Sequence, residues 1–125
     1  MAGCVVPVKG RPLLAGVRLS QTTFVPSDVN PSLLDVSAGR VDGTVEQPQL
    51  LPLTTLAIEL LRGDGRPLGT LVTLRDVLPG RYRFGITGRD AKGRPLRPGS
   101  YSVRVVATPV GGGLLDSADV PFRIR

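Results

Sequence analysis

Four stretches of this chain alternate apolar and polar residues with a period of two, and turn-forming residues separate them. Leu56, Ile58 and Leu60 share one side, with Ala57 and Glu59 on the other. Tyr82, Phe84 and Ile86 oppose Arg81 and Arg83. Tyr101, Val103 and Val105 alternate with Ser102 and Arg104, and Val120, Phe122 and Ile124 alternate near the C-terminal end. Side chains of a strand point to opposite faces in turn, so each stretch reads as a half-buried strand. Two weaker segments come earlier. Val17-Arg18-Leu19-Ser20, leading to Phe24, reads as a first strand, and Leu34, Val36 and Ala38 lie on one face of a second that can be followed to Val41. No window sustains a helical period.

The punctuation supports the same class. Gly (16) and Pro (12) together exceed a fifth of the 125 residues, and between short apolar runs they mark turns. Pro26-Ser27-Asp28-Val29-Asn30-Pro31 reads as a bend and residues 42–49 as a polar loop. Gly63-Asp64-Gly65 reads as a hairpin connection, because Asp-Gly tolerates positive φ, with residues 68–74 as the return strand. Pro79-Gly80 is a turn in which Pro fixes the first φ and Gly accepts the second. Residues 88–99 form a longer turn zone, and Gly111-Gly112-Gly113 is a flexible connector. About seven strands at this spacing predict an all-β, antiparallel β-sandwich. Residues 1–15, interrupted by Pro7, Gly10 and Pro12, read as an extended lead-in, and residues 16–125 as the domain.

A chain of 125 residues fits one domain and buries roughly two-thirds of its unfolded surface. Phe24, Phe84, Phe122, Tyr82 and Tyr101 are its aromatic residues and there is no Trp, so the core is aliphatic. Leu56, Ile58, Leu60, Phe84, Tyr101, Val103 and Val105 are expected to be largely buried. The net charge is +6, and of sixteen basic residues only Lys9 and Lys92 are not Arg. The arginines run from Arg11 to Arg125 without a block, which favours a solvated basic surface over a polyanion site. Tyr82 and Phe84 between Arg81 and Arg83 invite a base-stacking reading. Strict alternation instead turns the rings to the core and the guanidinium groups to water.

Candidate chemistry is thin. There is no His, and Cys4 is the one cysteine, so His-dependent triads, ordinary zinc sites and an intrachain disulfide are excluded. Asp28, Asp35, Asp42, Glu46, Glu59 and Asp64 read as surface charges rather than a hydrolytic pair. Loops containing Asp28 or Asp90 lack the carboxylate density of a calcium site. Gly63-Asp64-Gly65 and Gly111-Gly112-Gly113 lack the Gly-Lys-Ser/Thr of a phosphate loop. Arg62-Gly63-Asp64 spells a tripeptide read by adhesion receptors, but turn geometry already explains it. Met1-Ala2-Gly3-Cys4 is similar to the end of a lipoprotein signal, though only three residues precede the Cys and no signal peptide is visible in the chain as given. The most apolar run, residues 50–58, is broken by Pro52 and ended by Glu59, so no membrane span is expected. No catalytic, cofactor-binding or metal-binding residue is assigned.

From residue 56 to residue 107 the order of features resembles the bacterial immunoglobulin-like domain of the flagellar hook-capping protein type, which recurs at the C-terminal ends of many secreted bacterial proteins. That family reads approximately Trp-Asp-Gly-Arg-Asp, two residues, Gly, a short spacer with an aliphatic residue, then Gly-x-Tyr. Here the run is Ile86-Thr87-Gly88-Arg89-Asp90-Ala91-Lys92-Gly93-Arg94-Pro95-Leu96-Arg97-Pro98-Gly99-Ser100-Tyr101. Ile86 and Thr87 stand in place of the family's Trp and Asp. Upstream, Leu56, Ile58 and Leu60 followed by Gly65 and Leu68 stand where the family has strand, turn and strand, and Leu78-Pro79-Gly80 where it has a pre-strand turn. The resemblance implies an immunoglobulin-like sandwich in which Gly88, Arg89, Asp90, Gly93, Gly99 and Tyr101 are a structural turn motif. It implies a non-enzymatic structural or adhesive module that docks on a protein partner in a larger assembly, extracellular or on a virion surface, of bacterial or phage origin. Two other expectations compete: an accessory domain of a larger secreted enzyme or adhesin, and a basic binder of nucleic acid or acidic glycans, of which nucleic acid is the less favoured.

Overall fold

The computed structural model describes residues 14–27, 29–38, 40–43, 48–51, 53–78, 80–109 and 115–125. Among them there is no helix, and ten strands account for the regular structure: β1 (Leu14–Leu19), β2 (Thr23–Phe24), β3 (Ser32–Ala38), β4 (Arg40–Gly43), β5 (Pro48–Leu51), β6 (Leu53–Arg62), β7 (Pro67–Val77), β8 (Gly80–Ile86), β9 (Gly99–Pro109) and β10 (Asp116–Ile124). They form a three-stranded sheet in the order β1-β3-β8, a five-stranded sheet in the order β2-β10-β9-β6-β7, and a separate β4-β5 hairpin. The two larger sheets stack as a sandwich around a shared apolar core.

Alternation decides which side chains fill that core. On β3, Leu34, Val36 and Ala38 are buried while Leu33, Asp35 and Ser37 are not. Leu56, Ile58 and Leu60 of β6 meet Val103, Val105 and Ala107 of β9, paired as Ile58↔Val105 and Leu60↔Val103, and all six are essentially inaccessible. Aliphatic side chains at this density supply most of the driving force, on the order of 1.5–3 kcal/mol for each one removed from water. Two expected core members, Phe84 and Tyr101, are only half-buried. Each packs against the core from its rim: Phe84 lies on the edge strand β8, and Tyr101 near the start of the interior strand β9.

The N-terminal strand is not continuous to Phe24. β1 pairs with β3, whereas β2 pairs in parallel with β10 through Arg123↔Thr23 and Ile124↔Phe24. Residues 20–22 therefore carry the chain from one sheet to the other. Ser32, fully buried, clasps this crossing: its Oγ accepts from Gln21 N (3.0 Å) and donates to Gln21 O (2.7 Å). Ser20 Oγ accepts from Leu33 N (2.9 Å), and Arg123 N donates to Thr22 O (2.7 Å). Of the polar loop expected at 42–49, both ends are strand, with β4 and β5 paired as Asp42↔Gln49 and Gly43↔Pro48, and residues 44–47 lie outside the described residues. Of the turn expected at Pro79-Gly80, Pro79 lies outside the described residues and Gly80 opens β8; near the end of β7, Asp76 has a left-handed backbone (φ 53°). Most of the expected lead-in (residues 1–13, Cys4 included), Asp28, Glu46 and the triple-glycine connector lie outside the described residues.

Candidate functional site

Of the six residues singled out in the sequence, Gly88, Arg89, Asp90 and Gly93 lie between β8 and β9 and Gly99 and Tyr101 at the start of β9; the polar groups of this stretch bond mainly to one another. Asp90 Oδ1 accepts from Lys92 N and from Arg94 N, both at 2.9 Å. The backbone closes the same loop, with Asp90 N donating to Arg94 O (2.8 Å) and Gly93 N to Asp90 O (3.0 Å). Arg89 Nη1 donates to Gly93 O (3.0 Å), and Arg89 forms an antiparallel bridge with Pro95. An aspartate that caps its own turn in this way fixes loop geometry. The two amides that donate to it also favour its charged form: the Arg94 amide chiefly, then that of Lys92, hold its carboxyl below the usual carboxylate range against a smaller opposing effect of burial.

The glycines have separate reasons. Gly88 has φ 82° and is buried, and a Cβ there would stand 3.0 Å from Pro26 Cα. Gly93, also at φ 82°, makes the turn itself, and Gly99, at φ 153°, starts β9. Two residues on, Tyr101 donates its phenol to Arg97 O (2.7 Å). Its ring stacks on Phe122, which in turn stacks on Phe24, with centroids 5.7 and 5.4 Å apart. Tyr82 makes the same four-residue reach, donating to Leu78 O. Tyr101, expected in the core, thus packs its ring on Phe122 and bonds its hydroxyl to a carbonyl set by the loop's path.

Arg62, Gly63 and Asp64 sit exposed on the β6-β7 hairpin, yet each polar choice there serves the turn. Asp64 Oδ1 accepts from Arg66 N (3.0 Å), Gly65 has φ 90°, and Gly63 N donates to Ser100 O (2.9 Å). A Cβ at Gly63 would lie 2.9 Å from that same oxygen, so glycine is required by close backbone approach.

The charged faces are partly paired. On the outer face of the small sheet, Arg83 Nε donates to Asp35 Oδ1 at 2.7 Å. On that of the large sheet, Arg104 grips Asp119 with two bonds, at 2.8 and 3.1 Å. That contact holds the Asp119 carboxyl below its usual range. Asp35 and Glu59, candidate carboxylates, lie on opposite outer faces. Among the described residues no three His, Cys, Asp or Glu gather at metal-binding distance, and no helix is long and apolar enough to cross a membrane.

One further feature escaped the sequence reading. Where β7 ends one sheet and β8 the other, a cleft opens between them, lined by Leu71, Val72, Phe84 and Ile86 and closed at one end by Arg89 and Asp90. Leu71 and Val72 are consecutive yet both line it. Ile58 pairs with Val72 and Glu59 with Thr70, so Leu71 is an extra residue in the ladder, and such a bulge re-aims side chains. Nothing in a single strand's alternation signals a bulge. In comparisons with known proteins, no family model matches the chain and no curated protein is significantly similar to it.

Proposed function

We propose that this chain is an immunoglobulin-like module of a larger extracellular or virion-surface assembly, docking on a protein partner and performing no chemistry of its own. The strand connections support the immunoglobulin-like reading. Seven strands have six residues or more: β1, β3, β6, β7, β8, β9 and β10. The N-terminal segment divides between the sheets, the chain crosses from β7 to β8 and back to β9, and β9-β10 is the closing hairpin. A tyrosine near the start of the penultimate strand that bonds a carbonyl four residues upstream, as Tyr101 does, is a hallmark of such sandwiches. Kinship with the hook-capping type rests on the motif at residues 86–101.

The observation that carries the non-enzymatic reading is the internal bonding of that motif. The Asp90 carboxylate, the Arg89 guanidinium and the Tyr101 hydroxyl all engage nearby backbone. Such a segment shapes a scaffold; it does not hold polar groups poised toward a ligand. The polyanion reading is weakened because Arg83 and Arg104 are already paired with carboxylates.

Retention of the natively associated protein on immobilised domain tests this. Association through apolar and backbone contacts persists at about 0.3 M salt, where the Debye length is only several ångströms. Binding to DNA through six to ten phosphates falls on the order of a thousandfold or more between about 50 and 200 mM salt. Tight, steeply salt-dependent DNA binding, lost when Arg81, Arg83 and Arg104 become Ala, overturns the proposal.

A further inference from the structure

The sandwich has four sheet edges, and three of them are blunted. β2 has only two residues. β1 is bulged between Leu14 and Gly16 and packs on β10. β7 is bulged twice, at Leu71 and Leu68, each an extra residue opposite β6. Short length, bulges and cover are the devices that keep an edge from pairing with another chain. β8 lacks all three. It runs seven residues in unbroken register with β3, from Gly80↔Ala38 to Ile86↔Ser32, and among the described residues no strand pairs with its far side. Beside it lies the cleft of Leu71, Val72, Phe84 and Ile86.

We propose that β8 is an acceptor edge, which takes an extended segment of a protein partner as an added strand, with acidic residues alternating with aliphatic ones. This rests on the docking-module reading and names its surface. An added strand hydrogen-bonds through its backbone, and its alternate side chains are read on the two faces. On the inner face the partner's residues stand beside Tyr82, Phe84 and Ile86, all of which pack on the core, and enter the cleft. On the outer face they stand opposite Arg81 and Arg83; Arg83 already bonds Asp35, so the exposed Arg81 is the main seat for an added carboxylate and disfavours a cation. The charges of β8 also exclude two other occupants. A second copy adding antiparallel with full overlap of β8 sets Arg83 against Arg83. Residues 1–13 of this chain contain Lys9 and Arg11 and no acid. Arginine on an edge also serves simply to repel strands, and a peptide titration separates the two roles.

The probe is a fluorescein-labelled heptapeptide of alternating valine and glutamate, with a valine–lysine peptide as its counterpart, added to the full chain. The expected result is saturable binding of the glutamate peptide in the micromolar range. Amide NMR shifts should then be confined to β8, Leu71 and Val72. Arg81→Glu should weaken binding about tenfold, since a favourable cross-strand pair becomes a repulsive one. Arg81→Glu/Arg83→Glu should bind the lysine peptide instead. Because Arg83→Glu also breaks the bridge to Asp35, the single variant stands alone if the double one unfolds. Absence of glutamate-peptide binding, equal binding of both peptides, shifts at another edge, or a dimer formed through β8 overturns the proposal. Retention of the native partner at about 0.3 M salt is scored separately. If Arg81→Glu retains the partner as well as the unmodified chain does, the module reading stands and the acceptor edge falls. If the unmodified chain retains no partner, the module reading fails whatever the peptide does.

Discussion

The two sides of this sandwich are finished by different means. On one side the chain itself crosses between sheets: β1 lies in the small sheet and β2 in the large one. Ser32 clasps the crossing, and Asp116 of β10 accepts from Leu14 N at 2.9 Å. The stacked rings of Phe24, Phe122 and Tyr101 lie near this margin. On the other side β7 and β8 end their sheets without pairing, and Leu71, Val72 and Phe84 are left half-buried. Backbone crossing satisfies edge groups and side chains together. Side chains alone close the core against water, and among the described residues no strand takes up the edge amides and carbonyls of β8. The same core is therefore sealed on one flank and available on the other.

Truncating one aromatic residue on each flank is the severest way to break this contrast. Phe122→Ala removes a buried, stacked ring and should cost about 3–5 kcal/mol in urea unfolding. Phe84→Ala, at the half-buried rim of the open side, should cost less than half as much. Equal losses would mean that the open flank is as tightly packed as the closed one. Next in size is the clasp. Ser32→Ala removes both bonds to the Gln21 N–H and C=O, which are part-buried, at about 1–2 kcal/mol. Ser37→Ala, facing out on the same strand, should stay within about half a kcal/mol. A Ser32→Ala loss no larger than that would show the crossing to be held by its neighbours alone.

The contrast between flanks was only partly legible in the sequence. Alternation around Leu56, Ile58 and Leu60 identified their strand and its buried face, because a period of two has one reading when one face is wet. Gly63-Asp64-Gly65 identified its hairpin, since few residues tolerate such a turn. Alternation says nothing of which sheet a strand joins, so residues 17–24 read as one strand although the chain changes sheets at residues 20–22. Nor does it report lateral position: Phe84 and Ile86 share a phase, yet only Ile86 is fully buried. The bulge at Leu71 and the two roles of Ser32 arise from partners distant in sequence. In the candidate site the turn-forming roles of Gly88, Asp90 and Gly93 could be read locally, while the open edge of β8 emerged only once the strands were ordered.

The two tyrosines sharpen the comparison at smaller scale. Each reaches a carbonyl four residues upstream, Tyr101 to Arg97 near the stacked rings and Tyr82 to Leu78 at the open flank. Tyr101→Phe should cost about 0.5–1.5 kcal/mol, the net worth of such a bond. The Tyr101 loop is also tied by the Asp90 turn, whereas Leu78 stands exposed between β7 and β8. Tyr82→Phe should therefore accelerate amide exchange near residue 78 more than Tyr101→Phe does near residue 97. The reverse ranking would locate the looser corner on the other flank.

The smallest expected effect separates the flanks by the origin of their carboxylate shifts. Asp90 borders the open cleft and Asp119 lies on β10 toward the closed side. Both are held below the usual range, so their ionised forms are favoured in the folded state. For groups with depressed folded pKa values, the added stability is fully present above the unfolded pKa of about 3.9. It is lost as pH falls through the folded value, so neither contributes a pH dependence near neutrality. The causes differ. Asp119 is lowered first by the Arg104 side-chain bond and also by its charge, opposed by burial. Asp90 is lowered first by the Arg94 amide, and the charges of Arg94 and Lys92 rank last. Salt screens an exposed charge pair but leaves a backbone amide in place. In a carboxyl NMR titration, raising salt from about 0.05 to 0.5 M, well past one Debye length, should return Asp119 toward the ordinary range more than Asp90. The Lys92 and Arg94 amide shifts should titrate with Asp90, and in Asp90→Asn, which keeps an acceptor oxygen, they should no longer move with acid. Should Asp90 prove the more salt-sensitive of the two, its turn is held by the surrounding cations, and the open flank's loop is less rigid than its hydrogen bonds indicate.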